Sequence, residues 1–120
     1  MTTDSLHSIA LEWFKAFNQQ DLEGLLALYA DDASHYSPKL KARQPASNGW
    51  IKGKAALHDW WKDAFARLPS LRYQVIQLTA ESNRVFMEYL RHVEGEEVLR
   101  VGEMLEIREG LIVESSVYHG

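Results

Sequence analysis

The stretch EVLRVGEMLEIREGLIVESSVY, residues 97–118, decides the fold. Apolar side chains at Leu99, Val101, Leu105 and Ile107 alternate with Arg100, Gly102, Met104 and Glu106, the period-two signature of a β-strand with two unlike faces. Glu109-Gly110 then reads as a two-residue hairpin turn, and the alternation resumes at Leu111. Backward from this hairpin the same period covers Arg84 to Val93 and Leu71 to Ala80, with Glu94-Gly95-Glu96 and Glu81-Ser82-Asn83 as the intervening turns. Four consecutive antiparallel strands are expected, over 71–80, 84–93, 97–108 and 111–118.

Upstream of Pro69 the period changes to that of helices. Leu6, Ile9, Ala10, Trp13, Phe14 and Phe17 recur at three- and four-residue steps behind Thr2, Thr3 or Asp4 as N-cap. Asn18-Gln19-Gln20 breaks this helix, and Asp21 can cap a second one carrying Leu22, Leu25, Leu26, Leu28 and Tyr29. Ala33 to Ser37 reads as a short strand stopped by Pro38, followed by a polar loop with Pro45, Asn48 and Gly49 and a short extended piece at Trp50-Ile51. Ala56, Leu57, Trp60, Trp61, Ala64, Phe65 and Leu68 predict a third helix after Gly53, ended by Pro69. Helices first and strands later predict an α+β fold, with helices on one face of an antiparallel sheet. At 120 residues and 46% hydrophobic content, one domain spanning 1–120 is expected.

Composition narrows the function. There is no cysteine, which excludes a disulfide framework, a thiolate metal site and a cysteine nucleophile. The first residues carry no secretory leader pattern, and no apolar run approaches the ~18 residues of a membrane span, so a cytoplasmic protein without a membrane partner is expected. Net charge is −4 and the 13 Lys and Arg are dispersed, which argues against nucleic acid as a partner. The one basic cluster, Lys39, Lys41 and Arg43, reads as a solvated loop. His7 and His58 fall on helices, His35 on the short strand, His92 and His119 near strand ends, and none has zinc-site spacing, so no metal is expected.

A two-residue loop at Glu109-Gly110 places Glu103 opposite Ser116 and Val101 opposite Tyr118. With a two-residue loop within Glu94-Gly95-Glu96, Glu88 and Leu90 share a face with Val101 and Glu103; a three-residue loop reverses that assignment. Glu103 is the odd residue on an otherwise apolar face. Such a carboxylate must pair with an arginine such as Arg84 or Arg91, reach solvent, or raise its pKa toward neutrality as catalytic acids and bases do. Glu88, close in that register, would couple to it. The tryptophans and tyrosines are plentiful for the length, and those not in the core should line a cavity.

Leu28-Tyr29-Ala30-Asp31-Asp32, Tyr36-Ser37-Pro38, Gly53-Lys54-Ala55-Ala56-Leu57, Leu68-Pro69-Ser70-Leu71-Arg72 and Glu109-Gly110-Leu111-Ile112-Val113-Glu114, in that order, resemble the SnoaL-like branch of the NTF2-like superfamily. The resemblance spans essentially the whole chain and implies a cone-shaped, strongly curved sheet wrapped by three helices around a deep pocket, commonly dimeric through the outer sheet face. Relatives include polyketide cyclases and a ketosteroid isomerase. The acidic position that resembles the general base of SnoaL-like cyclases falls on Glu103. Where that branch has aromatic-His-Asp-Pro, this chain has His35-Tyr36-Ser37-Pro38, and where it has His-Trp-Asp, this chain has Ser115-Ser116-Val117.

The resulting expectation is an isomerase or cyclase that needs no cofactor and moves a proton on a small hydrophobic, carbonyl-bearing molecule. Glu103 would be the base, with Glu88 as its partner and His35, Tyr36 or Tyr118 as the donor to an enolate oxygen. Tyr29, Trp50, Trp61, Leu90, Val101 and Ser116 would complete the pocket, in a homodimer. A non-catalytic ligand-binding or dimerising module is the rival expectation.

Overall fold

A computed structural model describes residues 2–118; His119 lies outside the described residues. Helix α1, Thr3–Asn18, starts where the Thr2 hydroxyl accepts the Ser5 N–H at 3.0 Å and buries Leu6, Ala10, Trp13, Phe14 and Phe17 on one stripe. Its end is pinned to the sheet, because the Asn18 amide both accepts from and donates to the backbone of Tyr73. Asp21 caps α2, Leu22–Ala27, as expected from its side chain. The chain then enters β1, Tyr29–Tyr36, four residues earlier than the apolar pattern suggested.

The segment expected to be a polar loop contains a further helix, α3, Pro38–Arg43. The signal is Ser37-Pro38. The Ser37 hydroxyl accepts from the Lys39 N–H at 3.2 Å, Pro38 occupies the first turn, and Leu40 is buried. A 3₁₀ turn at Pro45–Ser47 leads to β2, Trp50–Lys52, through Asn48 and Gly49, both left-handed. At Gly49 a Cβ would stand 2.5 Å from the Tyr36 ring, so only glycine fits there. Helix α4, Lys54–Arg67, buries Leu57, Trp61 and Phe65. Among the described residues no helix is long and apolar enough to cross a membrane.

Strands β3, Arg72–Glu81, β4, Arg84–His92, β5, Leu99–Arg108, and β6, Leu111–Tyr118, follow with ends within two residues of expectation. They join β1 and β2 in one sheet, order β2-β1-β6-β5-β4-β3. Among the described residues only β1 with β6 is parallel, which makes the sheet mixed rather than antiparallel throughout. The core lies between the inner sheet face and α1 and α4, with Met87, Tyr89, Val101, Leu105 and Ile112 against the helical stripes.

Two local features overturn the expected strand registers. The β4–β5 connection is longer than two residues and closes on a turn in which the Glu96 N–H donates to the Val93 carbonyl, with Gly95 left-handed. Arg91 therefore pairs with Leu99, Tyr89 with Val101 and Met87 with Glu103, so odd-numbered residues of β4 share the inner face. In β6 a bulge slips the ladder by one between Glu106–Glu114 and Ile107–Ile112. Arg108 stands opposite Leu111 as expected, but Glu103 faces Val117 instead of Ser116, and Tyr118 faces Gly102 instead of Val101.

Candidate functional site

A cavity of about 300 Å³ opens between the inner face of the sheet, α3 and α4. His35, Val101, Glu103 and Tyr89 form its buried floor, while Phe17, Trp61, Leu68 and Leu71 make an apolar middle. Arg91 is buried at the neck, and Lys39, Arg43, Arg67 and Glu96 stand exposed at the rim.

Glu103 is 2% exposed in the interior of β5. The Tyr89 hydroxyl donates to its Oε1 at 2.7 Å, and its Oε2 is buried with no hydrogen-bond partner among the described residues. Burial pushes the carboxyl up to about 8, against the opposing pull of the Tyr89 hydrogen bond, so it is largely protonated at neutral pH. Neither arginine considered as a partner reaches it: Arg84 pairs with Glu106 and Arg91 with Glu96. Burial, followed by the neighbouring Glu103 charge, raises the Tyr89 hydroxyl well above its ordinary range, so Tyr89 acts as a donor and not as an anion. Tyr73 is packed against Tyr89 with ring centroids 4.4 Å apart.

His35 sits across the floor, two strand spacings from β5, or about 10 Å of backbone separation. A buried hydrogen-bond relay reaches its ring. The Trp13 indole N–H donates to the Tyr29 hydroxyl at 3.1 Å, and Tyr29 donates to Ser115 Oγ at 3.0 Å. Ser115 can then give its own hydrogen to His35 Nδ1, 2.7 Å away, the arrangement in which the imidazole proton lies on Nε2. Burial lowers His35 to about 4, so the ring is neutral. The Trp61 ring packs beside it at 5.2 Å.

Of the residues expected at the site, Glu103, His35, Trp61 and Val101 line this cavity. Tyr29 lies beneath the floor and acts on His35 through Ser115. Glu88 does not couple to Glu103: it stands opposite Gly102 and pairs with Arg100 on the outer face. Leu90 follows Glu88 outward for the same reason of register. Tyr36, Trp50, Ser116 and Tyr118 also lie outside the cavity; Tyr36 and Ser116 are paired neighbours, and Tyr36 packs on Trp50. The one-residue slip in β6 carries Ser116 and Tyr118 there and leaves Ser115 and Val117 inside. The reading from sequence missed Tyr89, Ser115, Arg91 and the rim. The signal for Tyr89 was its odd position in β4, which the three-residue alternative for the loop would have turned inward. Among the described residues no three His, Asp or Glu side chains are grouped to hold a metal ion.

This architecture is shared with solved proteins. A SnoaL-like protein of unknown function from Burkholderia thailandensis is 24% identical, with TM-score 0.87, over 100% of this chain and 98% of its own. TerC, co-crystallised with polyporic acid, is 18% identical with TM-score 0.83, over 97% of this chain and 92% of its own. A candidate ketosteroid isomerase from Kribbella flavida is 20% identical with TM-score 0.80, over 98% of this chain and 79% of its own. No curated protein matches the chain. The fold is the NTF2-like α+β fold. Since the model of the SnoaL-like domain matches residues 10–115, the chain belongs to the SnoaL-like domain family.

Proposed function

We propose that the chain is a cofactor-independent proton-transfer enzyme of isomerase or cyclase type, acting on a small hydrophobic molecule with a carbonyl group. The observation that carries this reading is the second oxygen of Glu103, buried beside a ligand-sized cavity with no partner among the described residues. An unsatisfied buried polar atom costs about 1–3 kcal/mol, and a substrate that meets it recovers that cost. Ionised Glu103 would take a proton from the carbon next to the carbonyl. The C–H electron pair would move into the enolate, whose oxygen accepts a hydrogen bond from His35 Nε2–H without taking its proton. The carboxyl, now protonated, would return its proton to the same or another carbon. Tyr89 holds Oε1 in place throughout.

At pH 7 about a tenth of a carboxyl with this pKa is ionised. The rate should therefore rise with pH and level off above 8. The test is deuterium exchange at the α-carbons of a panel of cyclic ketones in D₂O, followed by NMR. Glu103→Gln should slow exchange of any accepted ketone by at least about a hundredfold, whereas an unchanged rate overturns the reading.

A second reading, a ligand-binding module without catalysis, is favoured by one observation: neutral Glu103 and neutral His35 can both donate hydrogen bonds to a resting ligand. It requires binding of a ketone that Glu103→Gln preserves, with no exchange at any pH. We also propose that the outer sheet face, where Phe86 and Tyr118 are exposed, is covered by a second copy of the chain.

A further inference from the structure

We infer that the molecule taken into the cavity is an amphipathic anion, whose carboxylate or acidic enolate is held at the mouth by Lys39, Arg43 and Arg67 while its ring body extends inward to Glu103. This rests on the cavity being the ligand site proposed above, but not on Glu103 being catalytic.

The mouth runs against the charge of the whole. The chain carries −4, yet four cations, Lys39, Arg43, Arg67 and Arg91, converge on this opening. Among the described residues they pair with two carboxylates. Arg91 is satisfied by Glu96 at 2.8 Å, and a single Asp63 is divided between Arg67 at 2.7 Å and Arg43 at 3.8 Å. Lys39 has no ion pair among the described residues. Its ammonium is held below the ordinary range by partial burial and then by Arg91, with Arg67 adding to the effect against the opposing pull of Glu96, as expected where positive charge is crowded and under-neutralised. Fixed charge of one sign around a concave, partly desolvated opening concentrates counterions of the other sign.

The arrangement has a local cause. Lys39 and Arg43 are four residues apart on α3, so the helix that replaces the expected loop brings both to one face. Arg67 enters from the last turn of α4. Beneath this rim the wall is apolar at Phe17, Trp61 and Leu71, and the floor holds no net charge, with Glu103 protonated and His35 neutral. The fixed positive charge that a resting anionic group needs is therefore at the rim and not on the floor. A cavity of about 300 Å³ sets the body at one or two rings.

The test uses 2-naphthoate and its neutral counterpart 2-acetylnaphthalene, titrated into the full chain at pH 7 and low salt with calorimetric detection. Naphthoate should bind at least about tenfold more tightly than the ketone, and added salt should erode that preference. Lys39→Gln with Arg43→Gln should weaken naphthoate about tenfold and leave the ketone unchanged; both positions are exposed, and a thermal melt confirms folding. Equal binding of the two probes, an equal loss of both in the double variant, or binding of neither at millimolar concentration overturns the inference. The same titration on Glu103→Gln separates the two proposals. A retained preference for naphthoate alongside undiminished deuterium exchange would remove the catalytic role and leave the anion site standing. Lost exchange with no preference would remove the anion site alone.

Discussion

Glu103 and His35 are both uncharged at neutral pH for the same cause, burial, and their opposite chemistry makes stability depend on pH in a distinctive way. The carboxyl titrates near 8 when folded and at its ordinary value of 4.5 when unfolded, so between those values the folded chain keeps a proton that the unfolded chain releases. Stability then falls with rising pH, by at most about 1.4 kcal/mol per unit. His35 is lowered from 6.5 to about 4, so between those values it is the unfolded chain that gains the proton, and stability rises with pH. The two slopes oppose each other up to about pH 6.5. Above it Glu103 dominates, and the wild type should lose about 1.2 kcal/mol between pH 6.5 and 8, the remaining His35 gain included. Urea unfolding at the two pH values measures this. In Glu103→Gln the loss should vanish; an equal loss in the variant would assign it to other groups. The sequence made Glu103 legible because one acid among Leu99, Val101, Leu105 and Ile107 stands out. Tyr89 was not legible as its partner, since Val85, Met87 and Tyr89 are no more apolar as a set than Phe86 and Leu90, and composition does not choose between the faces of β4.

At the scale of elements, periodicity located α1, α4 and the four C-terminal strands, because each carries a long apolar stripe that must be buried. What it left open was parity. One residue more or fewer in a hairpin loop, or one bulge, exchanges the inner and outer faces of a strand without changing its period. The loop at residues 93–98 and the slip in β6 are changes of this kind, and together they moved Glu88, Leu90, Ser116 and Tyr118 out of the cavity. The parallel pairing of β1 with β6 joins segments about eighty residues apart and leaves no local mark. Helix α3 was missed because six residues are too few for a period, although its cap was written in Ser37-Pro38. Removing that cap should be measurable. Ser37→Ala should cost about 1 kcal/mol in denaturant unfolding and loosen the segment that carries Lys39 and Arg43, whereas Ser37→Asp, another N-cap former, should restore most of the stability. No loss in the alanine variant would mean that α3 draws its stability from the burial of Leu40 alone.

As a whole molecule, the sheet divides two tasks between its faces. The inner face supplies the core and the cavity, and the outer face leaves Phe86 and Tyr118 open to solvent, with Gly102 giving the end of the Phe86 ring room over β5. A Cβ at Gly102 would stand 2.6 Å from that ring. If a second copy covers this face as proposed, light scattering should give twice the mass of the chain, and Phe86→Glu should halve it without unfolding the protein, since the side chain is 42% exposed. A monomeric wild type would contradict the proposal. The inner face carries the more consequential claim, a carboxyl that keeps its proton at neutral pH inside a ligand cavity. It is tested most directly by ¹³C NMR titration of glutamate carboxyls in the wild type, Glu103→Gln and Tyr89→Phe. One carboxyl should titrate near 8, be absent from the glutamine variant, and move higher in the phenylalanine variant, because the lost Tyr89 hydrogen bond favours the ionised form. Completion of every glutamate titration by about pH 5.5 would contradict it.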